Sequence, residues 1–206
     1  MGNSTHQTSR QALLGTLAAT PTTTLATAAK SAQNNALVAL YTLHDDPPPT
    51  MGRTKDGREL SLARYHRAES FFQPVERDYP LSHYHQLYLA GIVAQLALSS
   101  HLLDIGLPDD WCARNIGLRV AKSLDYANAT GFNHHSGEMS RLADVLTPYN
   151  KWNAIQLWHE PTPDDGGFTA EPVRLLLRNL LDEIHQITGH SRPKGWHGAA
   201  HDAARS

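Results

Sequence analysis

Thirteen histidines stand in this chain of 206 residues. The run His134-His135-x-x-Glu138 sets two of them beside a carboxylate. A loop entering a helix start can aim two imidazoles and a carboxylate at one point, and those donors suit zinc, iron or manganese. A divalent metal held there would bring a bound water towards a pKa of about 7, giving a hydroxide for hydrolysis. Glu138 would then be ligand or general base, with a further ligand from His83, His85 or His159. The spacing matches no strong metal signature, and the same residues also read as surface histidines in a polar loop with Glu138 in a first helical turn.

Other candidates are weaker. His66-x-x-Glu69 places both groups on one helical face, near His83-x-His85. Di-iron bundles use paired Glu-x-x-His motifs, but here the order is reversed and no second copy comes with carboxylates on two further helices. Cys112 is the only cysteine, so no intramolecular disulfide forms. It falls near a helix N-terminus, which lowers a thiol pKa, while Asp109 and Asp110 raise it. Tyr149, Trp152, Trp158 and His159 form an aromatic segment suited to a ligand pocket or an interface, or to core packing. His197-x-x-x-His201 lies in a Gly-rich tail.

Several classes lack support. No Gly-x-Gly-x-x-Gly or Walker A pattern occurs, nor Gly-x-Ser-x-Gly, nor His-Glu-x-x-His. Charge is nearly balanced: only Arg10 is charged before Lys30, leaving 17 basic against 20 acidic groups. A nucleic-acid surface would need a concentrated basic face, so no nucleic acid is expected as partner.

The stretch Ser9-Arg10-Gln11-Ala12-Leu13-Leu14-Gly15 runs into small and apolar side chains and reaches Ala26-Thr27-Ala28. This resembles an export signal of the twin-arginine type, although Gln11 stands where a second arginine belongs. Residues 1–29 therefore read as an export-signal-like or disordered segment, leaving periplasmic and cytoplasmic locations both open. Residues 13–29 carry too few large apolar side chains for a stable membrane span of about 20 residues.

The elements that must position these groups are helical. Residues 31–44 read as a first helix stopped by Pro47-Pro48-Pro49. Lys55-Asp56-Gly57-Arg58 is a turn signal, the tip of a small hairpin. Residues 61–73 form a second helix ended or kinked by Pro74. Residues 82–105 form a long third helix, apolar almost all round from 87 to 98, hence a buried central helix. A fourth runs from Asp109 or Asp110 to Ala129, with Ala113, Ile116, Val120, Leu124 and Ala127 as its stripe. Residues 138–146 form a short helix, and Thr147-Pro148 opens another, although 154–159 also fits a strand. The last helix is capped by Thr169 and striped by Val173, Leu176, Leu177, Leu180, Leu181, Ile184 and Ile187, with Gly189 as its stop.

The expectation is an all-α protein: a single compact bundle of about six helices over 31–189, with a flexible basic tail over 190–206. Its expected role is non-enzymatic, binding a protein or small-molecule ligand through Tyr149, Trp152, Trp158 and His159. The alternative is a metal-dependent hydrolytic enzyme using His134, His135 and Glu138.

Overall fold

In the computed structural model, residues 22–77, 80–151 and 162–193 are described. They form an all-α bundle, with no strand among the described residues. The helices are α1 (Thr22–His44), α2 (Lys55–Glu76), α3 (His83–Asp104), α4 (Asp109–Trp111), α5 (Val120–Ala129), α6 (Gly137–Lys151) and α7 (Ala170–Thr188). A five-residue π turn, Cys112–Ile116, continues α4.

The uninterrupted apolar middle of α3 dictates the architecture. No single neighbour can cover a helix that is apolar all round, so α3 packs against α2, α5, α6 and α7 together. Its mean hydropathy of 1.3 meets the length and composition of a membrane span, yet 72% of that window is buried inside the fold, as in a core helix. Ala90, Ala94 and Ala97 let neighbouring helices approach closely, while Tyr65, Phe72, Leu98, Leu142 and Leu177 fill the space between. Each large apolar side chain buried here contributes about 1.5–3 kcal/mol.

Several boundaries differ from the sequence expectation for local reasons. α1 begins at Thr22 and runs through Ala26-Thr27-Ala28, an Ala-rich stretch of good helix formers. The 55–58 turn is instead the first turn of α2: Thr54, extended at φ −120° and ψ 159°, accepts the Gly57 amide through its hydroxyl. That N-cap outweighs the low propensity of Gly57. Pro74 lies in the last turn of α2 and leaves the helix intact to Glu76, because only one ladder bond is lost there. α6 is likewise continuous through Thr147-Pro148. Thr147 donates to Ala143 O and accepts the Ala121 amide, which ties α6 to the start of α5. Thr169 precedes α7 in an extended conformation but makes no side-chain cap bond. On α7, Thr188 turns inward and Ile187 is 45% exposed, so the apolar stripe ends at Ile184.

Two polar clusters join the helices. Asp46, just after α1, is held well below the usual carboxylate range: burial pushes it up, but bonds from Lys122 and Tyr126 prevail. Trp111 donates to Pro47 O, fastening the Pro-rich connector. Gly106 (φ 100°) permits the close approach of that connector, since a Cβ there would meet Gly52 C at 2.6 Å.

The second cluster centres on Glu69, only 1% exposed. Tyr65 donates to it at 2.8 Å, and Arg178 of α7 reaches both its oxygens at 2.8 and 3.1 Å. Removing one partner of a buried ion pair strands the other. Glu69→Gln should therefore cost about 3–5 kcal/mol in urea unfolding. The exposed Glu138→Gln should stay within about 0.5 kcal/mol. Equal, small effects for the two would show that Glu69 does not organise the α2–α7 contact.

Candidate binding groove

The fourth helix expected from the sequence is broken, and the break opens a groove. Gly117 adopts φ 61° and ψ −133°, a conformation L side chains rarely take, and its amide bonds Cys112 O. Asn115 donates to Trp111 O, and the Arg119 guanidinium donates to Asn115 O and Ile116 O. These side chains take up carbonyls that a continuous α-helix would bond internally. Ala113 consequently turns outward, while Ile116, Val120, Leu124 and Ala127 stay buried.

The π turn stands off from α2 and α3 and leaves a groove of about 520 Å³. α2 lends Leu60, Ala63, Arg64 and Arg67, and α3 lends Gln95, Leu96, Ser99 and Leu102. The far wall is Cys112, Ala113, Ile116, Gly117 and Leu118, with Ser123 beyond. Leu60 and Leu118 remain exposed at the rim. Arg64 donates to Ser99 Oγ and to Asp109, both at 2.5 Å. Arg67 is exposed and meets no acceptor among the described residues. Cys112 is buried in the wall; burial, then Asp109 and Asp110, push its thiol up to about 12, against Arg64. That opposes a nucleophilic role.

The residues singled out from sequence lie elsewhere. His134 Nδ1 pairs with Glu183 at 2.7 Å rather than with Glu138, and its ring stacks on Phe132. Its Nε2 is buried without a partner among the described residues. His135 and Glu138 are exposed, and no group of three metal-binding side chains assembles among the described residues. His83 pairs with Asp165 at 3.2 Å, and His85 packs edge-on against Tyr88. Tyr149 is buried and donates to Pro163 O, away from the groove. Trp152, Trp158, His159, His197 and His201 lie outside the described residues.

Sequence reasoning missed a Ser–His contact. His190, expected to open a flexible tail, is buried against α2 and α3, with Nε2 at 2.6 Å from Ser61 Oγ. It is held by the amide bond to Thr188 Oγ1 and by His185 Nδ1 on its carbonyl, and His66 Nε2 meets Ser191 O. Ser61 Oγ has one proton and gives it to Ser100 O at 2.6 Å, so the imidazole donates to Ser61. The ring is therefore no general base for that hydroxyl, and neither group reaches solvent.

Comparison with protein-family models, curated proteins and solved structures finds no match to this chain.

Two predictions follow from these environments. Cys112 should resist alkylation at pH 8 in the folded protein and react fully once denatured; rapid native labelling would contradict its raised pKa. His101 is lowered to about 4, chiefly by burial, with Asp104 opposing. His190 is lowered by burial and then by Arg58, His66 and His185, again against Asp104. Both rings fall below the ordinary value near 6.5, so the unfolded chain binds more protons in the acid range. The His101 contribution is then complete above about pH 6.5 and is lost as pH drops towards 4, by up to about 1.4 kcal/mol per unit, and His190 acts in the same direction. Urea unfolding at pH 7, 6 and 5 reads this slope, and His101→Gln should reduce it. An unchanged slope in that variant would exclude His101 as a source.

Proposed function

We propose that this protein acts by binding rather than by catalysis, and that a small molecule occupies the groove between α2, α3 and the π turn. The observation that carries this reading is the groove's composition. Aliphatic walls and a few convergent polar groups, in a volume of about 520 Å³, have the size and chemistry of a ligand site. π turns also recur at functional sites. No nucleophile with an adjacent base faces this space, since the Cys112 thiol is raised to about 12 and the Ser61–His190 pair is buried elsewhere. A protein that holds a ligand without transforming it needs only shape, apolar area and orienting donors.

The test is an NMR screen of the full chain against small amphiphiles. A binder should shift the amides of Leu96, Ser99 and Gly117. Ala63 is exposed and lines the groove, so Ala63→Trp fills the space without entering the core. That variant should weaken binding at least about tenfold, the loss of one good contact's worth of free energy. Shifts that map elsewhere, or survive Ala63→Trp, would sink the proposal.

A further inference from the structure

Among the described residues, the charged side chains that line the groove are Arg64 and Arg67, with Asp109 just outside it on Arg64. The two arginines stand three residues apart on α2 and so share a face. Arg64 is already occupied by Ser99 and Asp109. Arg67 is exposed and meets no acceptor among the described residues, which leaves one guanidinium fork open. Such a fork matches a carboxylate through two parallel hydrogen bonds.

Several carbonyls in and beside the far wall already accept hydrogen bonds. Gln95 donates to Gly117 O, Arg119 takes Asn115 O and Ile116 O, and Ser123 Oγ donates to Arg119 O. A ligand cation or hydroxyl donor would find those carbonyls engaged, whereas an anion finds Arg67. The apolar walls are aliphatic: Leu60, Leu96, Leu102, Ile116 and Leu118, without an aromatic ring. A flat aromatic ligand has no stacking partner there, while a flexible alkyl chain fits such walls.

From these observations we infer that the groove takes a single-chain amphiphile with one carboxylate head, the head held by Arg67 and the chain laid between α3 and the π turn. This rests on the binding reading above and names its ligand class. The head stays at the solvent side, where Arg67 is exposed, so the carboxylate need not lose all its hydration.

Decanoate and decyltrimethylammonium below their micellar concentrations, and decanol below its solubility limit, separate the two claims by calorimetry and NMR titration of the full chain. Decanoate should bind in the groove at least about tenfold more tightly than decanol, the size of one charge-assisted hydrogen bond. The cation should bind most weakly. Arg67→Gln should bring decanoate down to the affinity of decanol, with an unchanged melting temperature as evidence of folding. Added salt should narrow the gap between decanoate and decanol. Equal binding of decanoate and decanol to the native chain would overturn the carboxylate assignment while leaving the groove as a ligand site. Failure of all three to perturb the groove would remove both claims.

Discussion

The carboxylate of Glu69 is the constraint on which the arrangement turns. It sits on α2, almost wholly out of water, and is satisfied from its own helix by Tyr65 and from α7 by both forks of Arg178. A charge so placed tolerates little sliding, because each lost bond exposes the desolvation cost of the others. Arg192 extends the same network past the end of α7, through Asp182 and towards Glu69. The rotation of α2 about its axis is thereby fixed. With Ser61, Tyr65, Glu69 and Phe72 turned into the bundle, helical spacing carries Leu60, Ala63, Arg64 and Arg67 to the neighbouring face. That face would be covered if the segment after α4 packed against it as a regular helix.

The π turn prevents that packing. Its extra residue per turn swings Ala113 outward and stops the chain at Gly117, so the wall opposite α2 stands clear. The stop holds because the freed carbonyls are covered by Asn115 and Arg119. One backbone irregularity thus sets the geometry of the groove, and the bonds that hold it engage carbonyls in and beside the far wall. The buried pair of Asp46 and Lys122 anchors the start of α5 from the other side, which keeps the break local.

The fold was legible because its strongest signals are long ones. The apolar run of α3 and the stripe of α7 dominate any local detail, and each specifies what it must pack against. Short signals misled where two of them competed. Gly57 suggested a turn, but Thr54 three residues earlier capped a helix. Thr147-Pro148 looked like a helix start, but Thr147 satisfies its hydroxyl within a continuous α6. The groove was not legible, because the stripe Ala113–Ile116–Val120 is nearly compatible with one helix. Only Gly117, flanked by Asn115 and Arg119, hinted at a break. His190 was unreadable for a different reason: its partner, Ser61, is 129 residues away in sequence.

The distribution of polar chemistry in the bundle bears on what kind of protein this is. Side chains that look reactive by type are engaged in holding helices together. His134 meets Glu183, His190 meets Ser61, Glu69 meets Arg178, and Cys112 is buried. A catalytic group must be poised with capacity to spare, whether a lone pair facing a substrate or a proton near its transfer point. His190, Glu69 and Cys112 are committed to the bundle interior, and the one unpartnered nitrogen of His134 is buried there too. Binding, as proposed, draws on another sort of capacity: a guanidinium at a groove mouth with aliphatic walls beside it, on a frame already assembled by folding. Preorganisation of that kind favours recognition, since the ordering entropy has already been met in folding the bundle.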